Sequence, residues 1–207
     1  MPRRDQLKRN LMRSQIAHTA AKLMAEDGVQ DYASAKQKAA RQLNAIDTQS
    51  LPDNKEIDDA LREYQSIFKS DSQPEILRTL RDRAVTLMRE LHEFNPYLVG
   101  SVLAGTATEH SDINLQLFCD SVKDLEIYFI NQNRDYKSGF KRNRLGDKTV
   151  EIPTFTLDVE DTQATLSVYD TDDLRIVQKF KADGRVMERA KLAQVEALLD
   201  NEIKPVE

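Results

Sequence analysis

The sequence predicts an α+β chain, helices first and sheet later, on three observations. Apolar side chains recur at helical spacing through most of the first 94 residues. Over residues 112–119 the period drops to two, the spacing of a strand with one face toward a core. The chain has only six Gly and six Pro in 207 residues, and no Trp, so tight turns are few and helices should dominate.

Leu7, Leu11, Ile16, Ala20, Leu23 and Met24 form one helical stripe, which ends at Asp27-Gly28, where glycine can adopt the left-handed cap conformation. An alanine-rich segment follows over 31–43, with Ala35, Ala39 and Leu43 on one side, and completes a helical hairpin. A linker at 44–52 leads into Asp53-Asn54-Lys55-Glu56, which has the spacing of a capping box. Behind it Ile57, Ala60, Leu61, Tyr64, Ile67 and Phe68 keep the i, i+3, i+4, i+7 pattern of a helix. Asp71 to Pro74 punctuates the chain, and a further helix carries Ile76, Leu80, Ala84, Leu87, Met88, Leu91 and Phe94 before Asn95-Pro96 stops it. In the strand after it, Ile113, Leu115, Leu117 and Cys119 alternate with Asp112, Asn114, Gln116 and Phe118. A helix over 121–133, two strands over 150–159 and 163–169 around a turn at 160–162, and a last helix bearing Leu192, Val195, Leu198 and Leu199 complete the series. The pattern divides the chain into a basic helical region, 1–70, and a sheet-containing domain, 71–207.

Composition narrows the functional classes. With 40% hydrophobic and 31% charged residues the chain can bury a core and is not disordered. The net charge of −5 argues against a surface coated throughout for nucleic acid, but it is unevenly spread. Residues 1–45 hold 9 Lys/Arg against 4 Asp/Glu, and residues 46–207 hold 21 against 31. The front is therefore +5 and the rest −10. A single cysteine, Cys119, excludes an internal disulfide framework and a cysteine-built zinc cluster and points to a reducing compartment. The polar, basic start is not followed by the apolar stretch of a secretory signal, and the longest mostly apolar run, 97–105, is too short to cross a bilayer. A cytoplasmic protein with no membrane span is expected.

The most specific stretch is Tyr97-Leu98-Val99-Gly100-Ser101, then Gly105, then Ser111-Asp112-Ile113-Asn114-Leu115. It resembles the signature of the nucleotidyltransferase superfamily, the group of the DNA polymerase beta type, the minimal bacterial nucleotidyltransferases and the tRNA CCA-adding enzymes. That signature is an apolar strand ending in Gly-Ser, a short helical turn, and Ser-Asp-h-Asp-h about ten residues on. The resemblance covers roughly 75–170 and is strongest over 97–117. It implies a small mixed sheet with flanking helices, a nucleoside triphosphate ligand, Mg²⁺ or Mn²⁺ as cofactor, and transfer of a nucleoside monophosphate to a hydroxyl. On that implication Gly100, Ser101 and Gly105 form the turn that receives the triphosphate, because glycine lets backbone N–H groups approach phosphate closely. Carboxylates spaced i, i+2 on a strand share a face and can hold metal ions that bridge the phosphates and the attacking hydroxyl. A third carboxylate on a later strand completes the family's metal site.

Two of those three positions are neutral here. The second of the pair is Asn114, whose carbonyl oxygen can ligate a metal but brings no charge. The third falls at Thr165, leaving Asp112 as the one carboxylate at its family place. A turn centred on Asp161-Thr162 would set Asp158 directly across from Thr165 on the same face, as a relocated third carboxylate. The alternative is a solvated Asp158 near a hairpin end.

Other candidates carry paired readings. His110 either touches a phosphate or is a solvated loop residue, and His18 and His92 have no metal-ligand spacing to another His or Cys. Cys119 reads as a small core residue rather than a nucleophile. Asp170, Asp172 and Asp173 mark a helix start or loop. Lys137, Lys141, Arg142 and Arg144 either line a nucleotide or nucleic-acid groove or form a solvated face. In the front region Arg3, Arg4, Lys8, Arg9, Arg13, Lys36, Lys38 and Arg41 either contact RNA or an acidic protein partner or pair with the acidic remainder of the chain. Two functions follow: a metal-dependent nucleotidyltransferase with Asp112, Asn114 and Asp158 as catalytic candidates, or a catalytically inactive relative that binds nucleotide, nucleic acid, the ribosome or a protein.

Overall fold

The structure is a computed structural model and describes residues 2–29, 31–45, 51–69, 72–145, 148–176 and 186–203. Residues 46–50 of the linker, Asp71, and the side chains of Arg3, Arg4 and Arg144 lie outside the described residues. The chain is α+β, and it gathers into two compact units. The first is Met1–Ile76 with Thr106–His110; the second is Leu77–Gly105 with Ser111–Glu207.

Three helices build the first unit: α1 (Pro2–Glu26), α2 (Tyr32–Gln42) and α3 (Asn54–Phe68). Their shared core is rich in alanine, with Ala17, Ala20, Ala21 and Ala25 of α1 meeting Ala35, Ala39 and Ala40 of α2, and small side chains let the helix axes approach closely. Ile16, Ile57 and Leu61 fill the space among them. Gly28 ends the first helix with a φ of +66°, and Asp31 caps α2 by accepting from the Ser34 N–H at 2.8 Å. That backbone hydrogen bond holds the Asp31 carboxyl below its usual pKa.

The capping box forms as the spacing predicts. Asp53 accepts from the Glu56 N–H at 2.9 Å, and the Glu56 carboxylate accepts from the Asp53 N–H at 2.7 Å. Arg13 of α1 then donates to both oxygens of Glu56, at 2.7 and 2.8 Å, in a bidentate pair. One front-region arginine is thereby committed to the acidic start of α3.

The apolar stripe of α1 is corrected in its first half. Leu7 and Leu11 are 67% and 62% exposed, and burial begins at Ile16. The reason is alignment: α1 residue 13 meets the first turn of α3, so residues before it run past the end of their neighbour. Within the same unit, Gln65 of α3 is buried and donates to the carbonyls of Thr106 and Ala107, both at 3.2 Å, which holds the 106–110 segment.

The second unit begins in α4 (Gln73–Glu90), whose Leu80, Ala84, Leu87 and Met88 are buried, and a 3-10 turn (His92–Phe94) leads to the sheet. In chain order follow β1 (Pro96–Val99), α5 (Ser101–Ala104), β2 (Ile113–Phe118), α6 (Val122–Asn131), β3 (Lys137–Leu145), β4 (Lys148–Val159), β5 (Thr162–Tyr169) and α7 (Leu192–Ile203). The sheet is mixed, in the order β1-β2-β5-β4-β3. Its β2–β5 pair is parallel and its other pairs are antiparallel.

Register sorts the sheet into two unlike faces. One carries Leu98, Ile113, Leu115, Leu117, Ala164, Leu166, Val168, Phe155 and Leu157, each at most 2% exposed. Phe129 of α6 packs on this face against Phe155, with ring centroids 5.7 Å apart. A slip of one residue in any one strand would turn that strand's apolar side chains to the other face, at a cost of about 1.5–3 kcal/mol for each large one. The opposite face is polar at one end and aromatic at the other.

Replacing Asp53 by Ala removes the side-chain cap of α3 and one arm of the Arg13 cluster. The expected loss is about 1 kcal/mol, read as a lower urea midpoint by far-UV circular dichroism; an unchanged midpoint would contradict the capping role.

Candidate functional site

The polar face of the sheet is built from rows of cross-strand neighbours. Asn114 of β2 lies beside Thr165 of β5, and Thr165 lies beside Thr156 of β4. Adjacent strands are about 4.8 Å apart, so these three half-buried side chains form one contiguous patch. The next row along is Tyr97, Gln116, Ser167 and Thr154, of which Tyr97, Gln116 and Ser167 are buried. Beyond it Phe118 and Tyr169 stack with centroids 5.5 Å apart, and Tyr97 meets Phe118 edge-on at 5.4 Å.

The two halves of the Gly-Ser and Ser-Asp-h-Asn motif meet at this patch. Gly100 closes β1 with φ +78° and ψ −157°, a conformation almost confined to glycine, and caps α5. A Cβ at Gly100 would stand 3.6 Å from Nδ2 of Asn114, so the turn lies directly against that amide. Asn114 Nδ2 in turn donates to the carbonyl of Asp112 at 3.2 Å. Gly105 ends α5 with φ +80°, its N–H donating to Ser101 O. Behind the turn, the buried Arg81 of α4 donates to the carbonyls of Val102 at 3.1 Å and Leu103 at 3.2 Å. A four-residue helix has too few internal bonds to hold itself, and Arg81 satisfies carbonyls that its end leaves open.

Asp158 is corrected. The β4–β5 turn closes on Val159 and Thr162, with Glu160 at φ +54°, so the hairpin is centred one residue earlier than expected. Moving the centre by one shifts every partner by two: Asp158 faces Gln163, and Thr165 faces Thr156. Asp158 keeps its face but is exposed and stands one pair farther out than the Asn114–Thr165–Thr156 row. Arg83 of α4 fastens this turn by donating to Glu160 at 2.8 Å and to Thr162 Oγ1 at 2.5 Å.

The other candidates have structural settings. His110 belongs to the first unit, where its ring lies on Gly28. Cys119 follows β2, donates through Sγ to the Ser121 carbonyl at 3.6 Å, and has its pKa raised by burial. Asp170 starts the 3-10 turn Thr171–Arg175 by accepting from the Asp172 N–H at 3.0 Å. Of the front-region cations, Arg13 is paired with Glu56 and Lys36 donates to Asn54 at 2.7 Å, while Lys8, Arg9, Lys38 and Arg41 are exposed.

One contributor had no sequence signal. The segment before α7 pairs with the edge strand β1, where Leu98 and Ala190 exchange backbone bonds of 2.9 and 3.0 Å. Ala190 thereby shares the apolar face with Leu98, and its neighbour Arg189 turns to the polar face. The guanidinium carbon of Arg189 lies 5.3 Å from the Phe118 ring centroid and 5.5 Å from that of Tyr97. Lys191 lies over Tyr97 at 5.8 Å.

No known family's model matches the chain, and no curated protein matches it either. Functional assignment rests on the geometry.

Of the three places where the resemblance implies metal ligands, Asp112 keeps its carboxylate, while Asn114 and Thr165 are neutral neighbours. Thr156 extends the neutral row, and among the described residues no three His, Cys, Asp or Glu side chains gather. Two divalent ions about 3.5–4 Å apart repel strongly, and one carboxylate offsets less of that repulsion than three.

Gly100→Ala tests the turn. Its Cβ would find ordinary van der Waals space, so the cost is backbone strain of about 1–3 kcal/mol. The expected result is a reduced thermal midpoint; a midpoint equal to wild type would show that the turn does not require glycine.

Proposed function

We propose that this chain is a nucleotidyltransferase-like protein that binds a nucleoside triphosphate on the polar face of its sheet without carrying out metal-dependent transfer. The observation that carries the reading is the Asn114–Thr165 pair: neighbouring neutral side chains at two of the three places where the resemblance implies carboxylates. The Gly100 turn pressed against Asn114 supports the binding half of the proposal, since that turn is the motif's phosphate-receiving element. Amides and hydroxyls donate hydrogen bonds to phosphate oxygens, whereas carboxylates at the same places would repel them unless a cation intervened.

In this reading Gly100 and Ser101 receive the phosphates and Asn114, Thr165 and Thr156 supply neutral polar contacts. Asp112 positions the Asn114 amide through its backbone carbonyl. The aromatic end of the face, Tyr97, Phe118 and Tyr169, borders the polar rows.

Titration of the full chain with fluorescent analogues of ATP, GTP, CTP and UTP tests binding, and incubation with each labelled NTP, Mg²⁺ or Mn²⁺, and cellular RNA or protein tests transfer. Saturable binding of at least one NTP with no label transfer is expected. Label transfer abolished by Asp112→Ala would establish the enzyme instead, and failure of all four nucleotides to bind would remove the nucleotide reading.

A further inference from the structure

β2 and β5 run parallel and end together: Phe118 lies beside Tyr169, and the Cys119 N–H donates to the Tyr169 carbonyl at 3.0 Å. Past that point the two segments diverge. One turns at Ser121 into α6, and the other enters the 3-10 turn Thr171–Arg175. The opening between them, closed on a third side by Glu93 and Phe94 of the turn before β1, is a cleft of about 490 Å³. Clefts of this size take small molecules, and the carboxyl ends of parallel strands are a favoured place for them. Phe118, in the cleft wall, is four residues beyond Asn114, about 13 Å at the rise of a strand. The cleft therefore lies at the opposite end of β2 from the Gly100 turn.

The wall of the cleft is acidic and apolar together. Three carboxylates reach it from three segments: Glu93 from the turn before β1, Asp120 from the end of β2, and Asp124 from the first turn of α6. The Thr171 hydroxyl donates to Asp120 and ties that carboxylate to the wall. Asp124, Ile127, Tyr128 and Asn131 keep the i, i+3, i+4, i+7 spacing, so one face of α6 lines the cleft for about 10 Å. Tyr128 is fixed there from two sides. Its hydroxyl donates to the Glu90 carbonyl at 3.1 Å, and Phe94 meets its ring edge-on with centroids 5.5 Å apart. Arg189 lies over Phe118 but is not part of the wall. Burial pushes the Cys119 thiol pKa up, and Asp120, Asp124 and Asp170 push it further the same way, so the potential in the cleft is negative.

We propose that this cleft binds an aliphatic polyamine, with ammonium groups at the Glu93, Asp120 and Asp124 carboxylates and methylene stretches along Ile127 and Tyr128. A linear polyamine alternates charge with methylenes, as this wall alternates carboxylates with apolar side chains. The carboxylates are spread along the cleft; among the described residues no three gather closely enough to hold a single metal ion, whereas a ligand with separated charges spans them. The Tyr128 ring adds an electron-rich face for an ammonium. The inference is independent of the nucleotide reading, because the two sites lie at opposite ends of β2.

Isothermal titration of the full chain with spermidine, at low salt and without nucleotide, tests the proposal beside hexaamminecobalt(III), a cation of equal charge with no methylene chain. Spermidine is expected to bind saturably, about tenfold more tightly than the cobalt complex, the gain that burial of about two methylenes gives. Glu93→Gln and Asp124→Asn should each weaken spermidine binding about threefold, the size of a solvent-exposed ion pair. Both positions are exposed, so the variants keep the fold. Asp161→Asn removes the same charge beyond the far end of β5, where the side chain is 98% exposed, and should leave binding unchanged. An equal loss in all three variants, equal affinity for the two cations, or no saturable binding would overturn the proposal. Each of these results leaves the nucleotide reading as it stands.

Discussion

Asn114 and Thr165 are neighbours because β2 and β5 run parallel, with α6 and the β3–β4 hairpin on the connection between them. A parallel pair needs a long crossover and is held by the burial of its face rather than by a turn. Here that burial is Ile113, Leu115 and Leu117 against Ala164, Leu166 and Val168, each at 2% exposure or less. With those residues fixed inward, alternation places Asn114, Gln116, Thr165 and Ser167 on the other face. The chemistry of the site is therefore set by the core: the polar row cannot move unless the apolar face comes apart.

The same constraint governs the parts around the row. Leu98 of β1 is buried on the apolar face, so Tyr97 and Val99 turn to the polar one, and Gly100 brings the chain back against Asn114. Ala190 pairs with Leu98 and so sends Arg189 to the polar side. Arg81 holds α5 from behind through the carbonyls of Val102 and Leu103. Several elements thus converge on one surface. Its central row offers amide and hydroxyl groups, and the motif's one carboxylate, Asp112, lies two residues before Asn114.

Much of this was legible in the sequence where one local rule acted alone. The capping box at Asp53 and Glu56, the alternation of β2, and the strand expected over 163–169, which begins one residue earlier at Thr162, follow their residue patterns. The placement of Thr165 next to Asn114 needed the motif as well as the periodicity. The misreadings have separate causes. Leu7 and Leu11 fit the helical stripe, but periodicity does not report where the facing helix ends. Asp158 was displaced because Glu160 adopts the left-handed region, which a glutamate does not advertise, and Arg83 clamps the resulting tight turn. Arg189 lies outside any periodic element. Its placement depends on a two-residue exchange with a distant edge strand, and pairing of that kind leaves no mark in a local window.

The proposed function depends most on whether Asp112, beside the neutral row Asn114–Thr165–Thr156, can hold a divalent ion. Titrating Mn²⁺ into the full-length chain without nucleotide, with free Mn²⁺ read by electron paramagnetic resonance, measures this directly. The free-ion signal is expected to follow the added metal with no saturable site. Stoichiometric loss of that signal, restored by Asp112→Ala, would mean that a metal centre survives and would contradict the account.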